Sequence, residues 1–176
     1  RGVGEIRLDR QDKDLENPQD LETFLGAVRD LQLPLLLHAS EPVGHGYPGK
    51  GTATPDFLER VLRFCDGITV VLAHWGGGLP FYALMPEIEV LLKNVYVDTA
   101  ASSYLYSPRI MSLVASIIGS HKILFASDFP LLNIKRAIDD LFLGGLDENQ
   151  KEMVMGGNAQ RLLQLIGPNK PRRRGG

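Results

Sequence analysis

One cysteine, one tryptophan and no apolar run of membrane length: what this 176-residue chain lacks already narrows its class. With Cys65 alone, no internal disulfide forms, which fits a reducing, cytoplasmic setting. Cys65 stands beside Phe64 on an expected helix, where packing is its ordinary role. The apolar stretches fall well short of the roughly 20 residues that a membrane span needs, so no membrane partner is expected. Charge of one sign is also scarce. Nineteen Lys and Arg against 21 Asp and Glu leave a net charge of -2, too little to make nucleic acid or an anionic membrane a main partner. The sequence opens on Arg1 rather than a methionine and runs directly into a strand pattern, so no signal peptide is expected. The expectation is therefore a portion of a longer unit. Residues 1–167 are read as one partial domain, and 168–176, ending in PRRRGG, as a disordered basic tail.

What is present alternates between two periods. Short apolar runs occur at 2–8 (GVGEIRL), 34–38 (PLLLH), 68–74 (ITVVLAH), 95–99 (VYVDT) and 122–128 (KILFASD). Continuous runs of this length suit strands buried on both faces, as in parallel sheets. Between them lie helix patterns. Asn17-Pro18 opens one over Leu21, Phe24, Leu25, Val28 and Leu31, and Thr54-Pro55 opens the next. Ser107-Pro108 opens a third that Gly119 closes, 134–143 reads as a fourth, and Asn158 caps a last helix. Alternating strands and helices define an α/β fold with a parallel sheet. Five such units would make an open sheet, or the last five of a (β/α)8 barrel, which typically needs about 250 residues.

Polar residues arrive where the strands stop: His38, His74, Asp98-Thr99 and Asp128, with Glu5 inside the first strand. Strand C-termini in parallel α/β folds converge on one face, where ligands bind. Two histidines with two or three carboxylates there form a donor set for a divalent transition metal. Gly44 to Gly51 (GHGYPGKG) nearly matches the phosphate-binding G-x-x-x-x-G-K-[ST], but Gly51 stands where the magnesium-binding hydroxyl is needed. Nor does a helix follow at Lys50, so nucleotide binding is rejected. The glycines read instead as a loop over the strand ends, with His45, Tyr47 and Lys50 as substrate contacts. In HWGGGLP, residues 74–80, the glycines mark a tight turn.

The ordered blocks GVGEIRLD, LLLHAS, VVLAHWGG, VYVDTAAS, ILFASDFPLL and GGNAQRLL resemble the amidohydrolase superfamily. They are most similar to the amidohydrolase-related group that includes the aminocarboxymuconate-semialdehyde decarboxylase type. Glu5 is also similar to a metal-ligand glutamate of TatD-like hydrolases. The resemblance implies a distorted (β/α)8 barrel in which His38 ends strand five, His74 strand six and Asp128 strand eight. It makes His38 and Asp128 metal ligands, His74 either a second-metal ligand or the residue that polarises or deprotonates at the reacting centre, and Glu5 a bridge if the site is binuclear. Otherwise Glu5 is a strand glutamate paired with Arg7 or a neighbour. The family's first-strand His-x-His pair has no counterpart here, so the resemblance implies the C-terminal five β/α units with the N-terminal strands missing.

Catalysis on this reading is metal-dependent hydrolysis of a small organic amide, ester or lactone. The ion, zinc first with manganese as the alternative, lowers the pKa of its water toward about 7. Asp128 takes that proton, and His74 polarises the carbonyl. Non-oxidative decarboxylation on the same scaffold is the alternative, with His74 assisting protonation and Lys50, Arg109 or the loop histidine binding a substrate carboxylate. A third reading is an inactive barrel fragment that serves as a binding module. A homo-oligomer is compatible with all three.

Overall fold

Leu35, Leu37, Val70, Leu72, Val95, Val97 and Ile123 are all 4% exposed or less, and their alternation along the chain builds one face of the sheet. The structure, a computed structural model, describes residues 2–9 and 18–165. Its strands are β1 (Val3–Ile6), β2 (Leu35–Leu37), β3 (Val70–Leu72), β4 (Val95–Asp98) and β5 (Ile123–Leu124). They form one parallel sheet in the order β1-β2-β3-β4-β5. Sequential order with parallel pairing requires a crossover between every pair. The crossovers carry α1 (Pro18–Asp30), α2 (Pro55–Leu62), α3 (Pro86–Leu91), α4 (Ser102–Leu105) and α5 (Ile110–Ile118). After β5 come α6 (Ile134–Leu143), α7 (Glu148–Glu152) and α8 (Asn158–Leu165). The expected α/β class and parallel sheet are present. No helix among the described residues is long and apolar enough to cross a membrane. The basic tail expected at 168–176 lies outside the described residues.

The period of two in each strand sorts residues to opposite faces. One set joins Leu25, Val28, Leu58, Val61 and Val114 of the helices in the main core. The other, Leu36, Val71 and Tyr96 in register, meets Leu124 and is covered by Ala159 and Leu162 of α8. Burying a leucine fully contributes about 1.5–3 kcal/mol, so the face packed on the helices dominates cohesion.

Three local expectations change. The strand read at 122–128 ends at Leu124, because Thr99 Oγ1 donates to Ala126 O at 2.8 Å and accepts from Ala126 N at 2.9 Å. A side chain thus replaces the backbone ladder there. Asn158 does not cap a helix. It lies within a continuous helical run after a π turn at Met153–Gly157, and its Nδ2 donates to Ser120 O and Ile123 O, both at 2.7 Å. The buried amide pins that run beneath β5. Leu31, read as part of the apolar face of α1, falls past the helix end and is 66% exposed.

Candidate metal centre

Glu5, His38 and His74 come from β1 and the ends of β2 and β3, and one ligand atom of each lies within 4.8 Å of the others. The pairing of β1 with β2 brings Ile6 O to His38 N at 2.9 Å, which sets the two chain ends side by side. Glu5 Oε1 is 2.6 Å from His38 Nδ1 and 3.7 Å from His74 Nε2. Two rings therefore converge on one carboxylate oxygen. Arg7, the partner considered for Glu5, is paired with Asp9 instead.

His74 is held from behind. Its Nδ1 lies 3.2 Å from the Ala100 carbonyl, which accepts only if Nδ1 carries the hydrogen, so Nε2 faces Glu5. The backbone around it is left-handed at five successive residues, with φ from 54° to 93° over His74, Trp75, Gly76, Gly77 and Gly78. Left-handed geometry costs roughly 1–2 kcal/mol for each residue with a Cβ, so His74 and Trp75 need compensation. His74 N donates to Asp98 Oδ1 at 2.9 Å, and the fully buried Trp75 donates Nε1–H to Ser102 Oγ at 2.7 Å. The glycines serve close approach. A Cβ on Gly77 would stand 2.3 Å from Ser40 O. The expected tight turn is thus a left-handed one that aims His74.

The charges follow from this packing. Hydrogen bonding to His38, then the contact with His74, holds the Glu5 carboxyl well below the usual carboxylate range, against its partial burial. Burial resists charging His74, yet Glu5, the Asp98 charge and the Ala100 carbonyl outweigh it and push its pKa up to about 9. Asp98 is buried, which pushes it up to about 6 despite the N–H groups of Ala100 and His74. Asp98 was read only as a polar strand end. It accepts backbone N–H groups and so anchors His74 indirectly.

The chemistry of the donor set fits a divalent metal. Two imidazoles and a carboxylate whose ligand atoms converge suit zinc or manganese. This triangle lies in the wall of a cavity of about 540 Å³ that Arg7, His45, Tyr47, Ala101, Tyr104, Leu105, Asp128 and Leu131 also line. Asp128 shares the cavity but is not part of the donor triangle. His45 and Tyr47 reach the cavity as well. Lys50 does not line it, and its Nζ donates to Val43 O at 2.7 Å and His45 O at 3.1 Å, closing the loop on itself. Arg109 is exposed at the start of α5 and also lies outside the cavity lining. Gly51 is accounted for too. A Cβ there would sit 1.8 Å from Asp9 Oδ2 and 2.1 Å from Arg7 Nη2, so the position that a phosphate loop fills with a hydroxyl is closed.

Sequence reasoning missed Arg7 as part of the site's wall and Asp9 as the carboxylate that holds it. Their spacing along one strand end was visible, but nothing in it showed that Asp9 would accept from Thr52 N (2.7 Å) and Ala53 N (3.2 Å) across 43 and 44 residues.

A family profile described as amidohydrolase matches residues 1–165. The chain belongs to the amidohydrolase family. This amidohydrolase chain is 24% identical over 180 residues to a gamma-resorcylate decarboxylase of Polaromonas sp., covering 81% of the chain and 54% of the relative. A second such decarboxylase, from Rhizobium radiobacter, is 24% identical over 182 residues, covering 82% and 54%. The chain thus spans about half the length of the curated relatives it matches. Among solved structures, 2,6-dihydroxybenzoate decarboxylase from Rhizobium aligns with a TM-score of 0.65 and 21% identity, over 86% of this chain and 57% of that one. A TIM-barrel protein from Bordetella bronchiseptica aligns with a TM-score of 0.63 and 20% identity, over 92% and 53%. The fold is that of part of a TIM barrel.

Proposed function

We propose that this chain carries a metal-binding part of a decarboxylase site that removes the carboxyl group of a hydroxylated aromatic acid without oxidation. The observation that carries the reading is a two-histidine, one-carboxylate donor set in the wall of a cavity flanked by Tyr47 and Tyr104. The names of the curated relatives support decarboxylation over the hydrolysis expected first.

Glu5, His38 and His74 would hold the ion, manganese or zinc, whose charge orients the acid and stabilises negative charge as it develops. Tyr47 and Tyr104 line the cavity and would supply aromatic contact to a ring-bearing guest. As the bond between ring and carboxyl carbon breaks, its electron pair stays on the ring and CO2 leaves. The ring carbon then takes a proton. Asp128 is the group proposed to deliver it, since it lines the cavity apart from the donor triangle.

The test is resorcinol formation from 2,6-dihydroxybenzoate, with CO2 release, by the chain expressed with any in-frame sequence that precedes it and loaded with Mn²⁺ or Zn²⁺. Aryl esters and lactones are assayed beside it. Resorcinol formation supports the reading. Ester or lactone turnover without decarboxylation restores the hydrolase.

A further inference from the structure

We infer that Arg7 is the specificity-determining cation of the cavity, binding the carboxylate of an acid substrate and releasing the uncharged product. The inference rests on the acid-substrate reading above and names the residue that selects the acid.

Arg7 lines the cavity with Glu5, His38 and Tyr47, and its side chain is 24% exposed. It is fixed on two sides. Nε and Nη2 donate to the two oxygens of Asp9 at 3.2 and 3.0 Å, and Nη1 donates to Gly49 O at 2.8 Å. Those bonds use three of the guanidinium's five N–H groups. One hydrogen on each terminal nitrogen is left without a partner among the described residues. A planar fork held this way loses little freedom on gripping a carboxylate.

The neighbouring charges already have partners. Asp9 is 1% exposed and is held by Thr52 N and Ala53 N as well as by Arg7. Glu41 accepts from Tyr47 Oη at 2.8 Å, and Glu5 serves the two histidines. Lys50, the rival cation on the loop that Arg7 holds through Gly49 O, spends its ammonium on loop carbonyls. Arg7 also acts electrostatically on the Tyr47 phenol, so its charge reaches the side of the cavity where that ring stands.

A cation that grips the departing carboxylate stabilises the ground state, so its effect belongs in binding and not in the bond-breaking step. Asp9 tempers that cation. Once CO2 has left, the phenol product offers Arg7 no charge, and retention falls.

Calorimetric titration of 2,6-dihydroxybenzoate and of resorcinol into wild type, Arg7→Met and Arg7→Lys tests this, with and without Mn²⁺. The expected result is at least tenfold weaker acid binding in Arg7→Met, resorcinol binding within threefold of wild type, and partial recovery in Arg7→Lys. In turnover, KM rises more than kcat falls. Equal losses for acid and phenol would make Arg7 a loop tie only and overturn the inference. So would a wild type that binds the acid no better than resorcinol. Arg7-dependent acid binding without CO2 release would reject the decarboxylase reading and keep the inference. CO2 release that ignores Arg7 would do the reverse.

Discussion

The ring of His38 stands edge-on to that of His74, centroids 5.0 Å apart and planes 74° apart, with Glu5 Oε1 reaching both. Edge-on rings can turn one nitrogen each toward a shared point without stacking against one another. That relationship makes the pair a metal site in prospect and sets out what perturbing it should do.

Removing either ring should empty the site. His38→Ala and His74→Ala are expected to lower metal affinity at least tenfold, as loss of a direct ligand exceeds the about 10–100-fold cost of losing its supporting partner. Asp128→Asn should retain metal, because Asp128 lies outside the donor triangle. Metal content by mass spectrometry after dialysis checks all three, and loss in Asp128→Asn would place that carboxylate among the ligands.

The metal-free protein should lose stability as pH rises from about 6.5 to 9. His74 is raised above its ordinary value to about 9, so its contribution is complete below the unfolded pKa and disappears through the folded one. Glu5 has the opposite sign: its depressed pKa stabilises above the ordinary carboxylate value and fails only in stronger acid. Asp98, raised to about 6, costs stability progressively as pH rises from the ordinary Asp value to about 6, and that cost then stays constant across the His74 window. Metal affinity should climb across the His74 window, since the ion displaces a proton. Melting temperature against pH for wild type and His74→Gln checks this, with the slope absent from the variant.

Gly77→Ala should cost about 2–4 kcal/mol, combining a left-handed φ with overpacking. Its Cβ meets backbone, Ser40 O, which cannot swing aside. Gly51→Ser should cost about 1–3 kcal/mol by the same overpacking and should create no ATP binding. Denaturant titration gives both costs, and nucleotide binding by Gly51→Ser would reopen the phosphate-loop reading.

Cys65 should resist alkylation in the native state. Burial pushes its thiol up to about 12, so almost no thiolate exists at neutral pH. Labelling with iodoacetamide should proceed in urea and be at least tenfold slower without it.

The strand order, the parallel sheet and the placement of His38, His74 and Glu5 were legible because strand ends in this architecture share a face. Their convergence required only period and order. Other features depended on contacts between distant residues. Lys50 reads as a substrate cation in sequence, yet its ammonium is held by the loop's own carbonyls. Arg7 and Asp9 look like an ordinary strand-end pair until residues 49–53 fold back onto them. The left-handed run at 74–78 was half visible. Three glycines permit it, but His74 and Trp75 carry no local sign of a conformation that their neighbours impose.

That run has a practical consequence. A mirror-sense turn that includes two residues with a Cβ, His74 and Trp75, is held by Asp98 and Ser102. A substitution that loosens the grip lets the turn revert, and the histidine swings off target as it does so. On the proposed metal reading, ion uptake would therefore report folding, and a library screened for bound ion would be sorted by architecture before any substrate is supplied.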